Sequence, residues 1–208
     1  MRNFKIAAIA LAAGLAGFGN AQAQETVKIG LILPFTGQFA DGAKQIDDAI
    51  TLYIEENGDT VAGKKIEILR KDTGGIAPDV AKRLAQELVV RDKVDILAGF
   101  LLTPNALAVG PISEEAKKFM VVMNAATSII TTKSPYMARV SMTTPMVNEE
   151  LGKWAFAKGV SEVYTINSDY GPGNDAQAGF QRAFEAAGGK IVGADKVPVA
   201  NPDFAAFV

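Results

Sequence analysis

Apolar residues recur along this chain with two periods that alternate. Residues 27–33 form a short, nearly continuous apolar run, which predicts a strand buried on both faces. Over residues 43–57 the apolar positions fall at Ile46, Ala49, Ile50, Tyr53 and Ile54, the spacing of one helix face, and the pattern stops at Asn57-Gly58. Further strands are predicted at 65–70, 94–99 and 119–123. Between them, Pro78 opens a helix to about residue 90, and Thr103-Pro104 opens another to about residue 118. Strand–helix units of about 30 residues are the signature of right-handed crossovers feeding a parallel sheet.

An irregular stretch at 124–135 interrupts this rhythm before a strand at 137–141. The pattern then restarts with a helix opened by Thr144-Pro145, a strand at 162–166, a helix at 174–187 and a strand at 190–197. The expected fold class is α/β: two lobes with parallel sheets, the first over residues 24–143 and the second beginning at 144 and running to 208. Pro202-Asp203 starts a helix that has no matching end, so the second lobe is read as incomplete and the chain as part of a longer protein.

The first 23 residues stand apart. Arg2 and Lys5 precede a thirteen-residue apolar run from Ile6 to Phe18, and Ala21-Gln22-Ala23 has the small-x-small pattern of a cleavage site. This reads as a secretory signal peptide cut after Ala23, with a periplasmic destination. The alternative, a membrane anchor, is disfavoured because the run is rich in Ala and Gly and short of the ~20 residues a bilayer requires.

Composition narrows the function more by absence than by content. The chain has no His and no Cys, which excludes a Ser-His-Asp triad, a Cys-His pair, and imidazole or thiolate metal sites within it. Neither a metal nor a cofactor is expected. Without Arg2 and Lys5 the balance is 19 basic against 23 acidic residues, the wrong sign for a nucleic-acid partner. Gly171-Pro172-Gly173 lacks both the dinucleotide fingerprint and the Lys-Ser/Thr of a phosphate loop, and reads as a turn. Asp47-Asp48 and Glu55-Glu56 are sequence neighbours on a helix, point in different directions, and read as solvated surface.

In open parallel sheets ligands sit beyond the carboxyl ends of the strands. The loops there are 34–42, 100–103, 124–128 and 168–173. They offer apolar surface, hydroxyls and backbone, including Phe39, Leu102, Thr103, Ala125, Thr127 and Tyr170, and the first three contain no Lys or Arg. Such a set suits a small ligand with an apolar body and one acidic end, held by hydroxyls and the free N–H groups of helix N-termini. Thr103 and Thr144 also fit as plain helix caps, whereas Thr127 precedes no obvious long helix. The Phe residues, taken one at a time, are more often core than ligand stackers.

The run Lys28-Ile29-Gly30-Leu31-Ile32-Leu33-Pro34-Phe35-Thr36-Gly37, with Asp72, the Gly99 strand end, Thr103, Asn124-Ala125-Ala126-Thr127 and Asp169-Tyr170-Gly171, resembles the type I periplasmic binding proteins. The nearest branch is the leucine/isoleucine/valine-binding receptors of ABC importers. The resemblance runs in order over residues 26–208 and implies two Rossmann-like lobes that trap ligand by hinge closure. By position it implies that Thr103 and Thr127 grip a carboxylate with their hydroxyls, that Ala125 adds a backbone donor, and that Tyr170 closes from the second lobe. Phe39 and Leu102 complete the candidate site. The loop at 36–42 is shorter than in the amino-acid receptors and lacks their Tyr, and Leu101-Leu102-Thr103-Pro104 is more apolar. In these respects the chain is similar to receptors for aromatic acids such as benzoate or phenylpropanoid derivatives.

The expected function is therefore a non-catalytic, monomeric solute receptor that delivers a branched-chain amino acid or an aromatic acid to a membrane ABC permease. Two other readings stay open: a ligand-sensing domain of the same fold, and a secreted α/β hydrolase working with carboxylates alone.

Overall fold

The computed structural model describes residues 24–200 and residue 205. The leader and the helix start at Pro202 lie outside the described residues. The elements in chain order are β1 (Thr26–Leu33), α1 (Ala40–Asn57), β2 (Thr60–Val61), β3 (Lys64–Asp72), α2 (Pro78–Val90), β4 (Ile96–Gly99), α3 (Thr103–Ala116), β5 (Phe119–Val122), a 3-10 turn (Ser128–Thr132), β6 (Met137–Arg139), α4 (Thr144–Ala157), β7 (Glu162–Ser168), α5 (Gly171–Ala186) and β8 (Lys190–Val197). The first six strands form one sheet in the order β2-β3-β1-β4-β5-β6, and β7 and β8 form a second. All pairings are parallel except β2 with β3.

Strand β1 lies between β3 and β4 and buries both faces, as its unbroken apolar run predicts. Leu31 and Leu33 pack with Ala43 of α1 and Ala98, while Ile32 packs on the opposite face among Ala81, Leu88, Phe100 and Val109 from α2, α3 and the loop between. Alternate side chains of a strand point to opposite faces, so a strand covered on both sides must be apolar throughout.

Four local features differ from the sequence expectation. Strand β2 was not expected; it is two residues long and pairs with Lys64 and Lys65 through a turn with positive φ at both Ala62 (50°) and Gly63 (79°), the geometry of a type I′ hairpin. Helix α3 ends at Ala116 because Lys117 turns left-handed and the Lys118 amide bonds back to the Ser113 carbonyl at 2.9 Å. Residues 128–132 of the irregular stretch form the 3-10 turn. Gly171-Pro172-Gly173 is the first turn of α5 rather than a separate turn. Proline is tolerated at a helix start because its missing N–H has no acceptor to lose there. A Cβ at position 173 would lie 1.9 Å from the Ser168 carbonyl oxygen, so the tight return from β7 into α5 depends on glycine.

Candidate functional site

The chain passes from β1 to β3 on one side of the sheet and then to β4 on the other, which makes a topological switch point at β1. Beyond the carboxyl ends of these strands lies a cleft of about 650 Å³. Gln38 and Phe39 line it from the loop after β1, Gly74, Gly75 and Ile76 from the loop after β3, and Pro104 from the start of α3. Across it stand Asp169 and Tyr170 after β7, with Pro198, Val199 and Ala200 after β8. The two groups of strands thus supply opposite walls.

Thr103, which precedes the lining residue Pro104, meets Thr127, 24 residues on in the chain: their hydroxyls are 2.8 Å apart and share a hydrogen bond, with the residues 2% and 5% exposed. Thr103 is not the cap of α3. Leu102 holds that position, in extended conformation, and makes no side-chain capping bond. In α4 the capping hydroxyl belongs to Thr143, which accepts from the Met146 amide, and not to Thr144. Thr127 is held through its carbonyl, which accepts from Arg139 Nη1 at 2.7 Å. Arg139 therefore puts a guanidinium behind a loop that has no cation of its own; nothing local to residue 139 signals this, because β6 reaches the loop only through its pairing with β5.

The second lobe closes directly onto this pair. A Cβ built on Gly171 would lie 3.3 Å from Thr127 Oγ1 and 3.7 Å from Thr103 Cγ2, so the backbone at the start of α5 covers both residues. Beside it, Asp175 Oδ2 of α5 accepts from the Ser128 amide at 2.7 Å and from the Ser128 hydroxyl at 2.8 Å.

Of the six candidate residues, Phe39 and Tyr170 line the cleft and Thr103 and Thr127 form the hydroxyl pair. Leu102 and Ala125 are not among the residues that line the cleft. Leu102, at the N-cap of α3 in extended conformation, is buried, 6% exposed. The Ala125 amide is committed to the Phe100 carbonyl at 2.9 Å, a bond that anchors the loop after β5 to the loop after β4, so it is not a free donor. Tyr170 is half-buried, and burial pushes its phenol above the ordinary value. Asp169, left out of the candidate set, stands next to it in the cleft with Lys196 Nζ at 3.8 Å. The acid pairs on α1 lie on the surface as expected: Arg70 Nε binds Asp47 at 2.7 Å and Lys44 Nζ binds Asp48 Oδ1 at 2.8 Å.

Two α/β units around a ligand-sized cleft, with paired hydroxyls at the closed edge, define a binding fold of the hinged, two-lobed class. Residues 26–208 match the periplasmic binding protein family, and the chain belongs to it. It is 46% identical over 180 residues to the Leu/Ile/Val-binding protein homolog 6 of Brucella abortus (strain 2308), a match covering 86% of this chain and 46% of that one. A solute binding protein of an ABC transporter from Rhodopseudomonas palustris BisB5, solved with 3,4-dihydroxy benzoic acid, is 55% identical with a TM-score of 0.85, covering 88% of this chain and 50% of that one. Another from Rhodopseudomonas palustris HaA2, solved with p-hydroxybenzoic acid, is 44% identical with a TM-score of 0.86 over the same shares. The chain spans about half the length of these relatives.

Proposed function

We propose that this chain belongs to an exported solute receptor of an ABC importer that captures a hydroxylated aromatic acid between its lobes and hands it to a membrane permease. The observation that carries this reading is the buried Thr103–Thr127 pair at the edge of a cleft walled by Phe39 and Tyr170. On opening, Gly171 lifts from the pair, and the two hydroxyls exchange their mutual bond for the oxygens of a ligand carboxylate. The N-terminus of the 14-residue helix α3 adds partial positive charge at the same point. The ring then lies between Phe39 and Tyr170, and Asp169 offers an acceptor to a ring hydroxyl. The relatives solved with hydroxybenzoic acids support the ligand class.

A second reading, a branched-chain amino acid, is favoured by the same Asp169, whose carboxylate suits an α-ammonium, and by the name of the Brucella relative. Calorimetric titration of the full-length protein with 4-hydroxybenzoate, 3,4-dihydroxybenzoate, benzoate and leucine separates them. The hydroxybenzoates are expected to bind most tightly; tighter binding of leucine selects the second reading, and no binding by any of the four rejects both. The bound acid is expected to be recovered unchanged, which a hydrolase would not allow. Export is checked by intact mass, where the mature protein is expected to begin at Gln24.

A further inference from the structure

The wall of the cleft formed after β3 begins with two consecutive residues without side chains, Gly74 and Gly75, so that stretch presents peptide backbone, next to the Ile76 side chain. Backbone in a loop keeps a fixed shape only if its polar groups are tied down. Here the ties converge on one side chain. Asn105, in the first turn of α3 and 2% exposed, donates through Nδ2 to the Gly75 carbonyl at 2.9 Å and to Thr73 Oγ1 at 3.3 Å, and accepts at Oδ1 from the Ala77 amide at 2.9 Å. Both amide hydrogens and the amide oxygen are used. Thr73, 6% exposed, adds a bond from its own hydroxyl to the Gly75 carbonyl at 3.2 Å. At the other end of the loop, Asp72 accepts from the Gly74 amide at 2.8 Å and from the Thr36 hydroxyl at 2.6 Å, which joins the wall to the loop carrying Phe39. The two loops touch backbone to backbone: a Cβ on Gly37 would lie 2.5 Å from the Gly74 carbonyl oxygen.

Asn105 is two residues from Thr103 on the same helix, so one helical turn sets both the acid grip and the position of the Gly74–Gly75 wall beside it. A backbone surface held at a fixed distance accepts a planar ring and resists a thicker, puckered one, since van der Waals contact is lost over fractions of an ångström in one direction and becomes repulsive in the other. We propose that Asn105 is a positioning residue for specificity, holding the Gly74–Gly75 wall where it selects planar aromatic acids over saturated acids of the same size. This rests on the reading of the site as an aromatic-acid receptor.

The test is calorimetry on the full-length protein with 4-hydroxybenzoate and its saturated counterpart trans-4-hydroxycyclohexanecarboxylate, for the parent, Asn105→Ala, the near-isosteric Asn105→Asp, Thr73→Val, and Ile112→Val. Ile112 lies in the core on α3 away from the cleft and serves as a control for general destabilisation. The parent is expected to prefer the planar acid. Both Asn105 variants are expected to weaken it by roughly 10-fold or more, with most of the preference lost, because Asn105→Ala removes all three bonds and Asn105→Asp keeps the acceptor for the Ala77 amide but loses both bonds donated by Nδ2. Thr73→Val, which removes a second strut without changing volume, is expected to move the preference in the same direction by less, and Ile112→Val to leave it unchanged. Hydrogen exchange at the Ala77 amide is expected to quicken in Asn105→Ala. Should Asn105→Ala fail to fold, the preference in Asn105→Asp and Thr73→Val decides. Unchanged affinity and preference in the folded Asn105 or Thr73 variants overturns the proposal, as does an equal loss in Ile112→Val. If the parent itself binds no aromatic acid, the failure lies in the functional reading, and the proposal falls with it.

Discussion

The hydroxyls of Thr103 and Thr127 are each other's partner in a buried position, so removing one strands the other. A hydrogen bond to a charged group contributes ~1.5–3 kcal/mol, and Thr127→Ala or Thr103→Ala in the full-length receptor is expected to weaken acid binding roughly 10- to 150-fold. Thr127→Ser, which keeps the hydroxyl, is expected to retain most of the affinity. Titration of each variant against the acid and its primary amide checks this; parent-like binding by both Ala variants would reduce the pair to loop structure. A second residue-scale prediction concerns Asp72. Burial pushes its carboxyl up, but bonds from the Thr36 hydroxyl and the Gly74 and Thr36 amides outweigh burial and hold it below the ordinary carboxylate value. A depressed value in the fold means that the stabilisation is present at neutral pH and is lost as pH falls through the folded-state value. Denaturant unfolding at a series of acidic pH values is expected to show a steeper loss for the parent than for Asp72→Asn, and parallel curves would contradict it.

At the scale of elements, the start of α5 controls the second wall of the cleft. Gly173→Ala places a Cβ against the Ser168 carbonyl and must push the first turn of α5 away, carrying Tyr170 with it. The expected loss is about 2 kcal/mol or more of stability, together with weaker ligand binding. Thermal unfolding and titration of this one variant read both. The β2–β3 hairpin works in the opposite direction. Ala62 sits at φ 50°, a conformation that costs an L-residue ~1–2 kcal/mol and suits Asn better, so Ala62→Asn is expected to stabilise the protein by about 0.5–1 kcal/mol without changing affinity. The long helices and the strands of the main sheet were legible from periodicity, since each buries enough apolar surface to impose a repeat. The two-residue strand β2 has no room for a period, and the early start of α5 was hidden because glycine and proline signal a turn and a helix start alike.

At the scale of the molecule, two bonds from Ser128 to Asp175 link the loop after β5 to α5 across the lobes. They can form only when α5 lies against the loop after β5, so they favour the closed state by whatever they contribute. Being exposed, they are worth less than buried ones. Asp175→Asn is expected to weaken ligand affinity by about 3- to 10-fold, mainly through faster release. Stopped-flow kinetics separates the two rates, and an unchanged release rate would show that the contact does not favour closure.

What the linear order of residues determined by itself was the alternation of strand and helix, which loops follow the carboxyl ends of the strands, and the hydroxyl, aromatic and backbone groups those loops carry. Each of these follows from local periodicity or from which residue types are present and absent. The partnership of Thr103 with Thr127, the commitment of the Ala125 amide to Phe100, the burial of Leu102, the guanidinium of Arg139 behind the loop and the clamp of Asn105 on Thr73, Gly75 and Ala77 were decided only by the tertiary structure. Residues separated by 12 to 32 positions meet at these points because the parallel sheet gathers the ends of its strands on one edge, and a pairing made across strands leaves no period in the sequence of either.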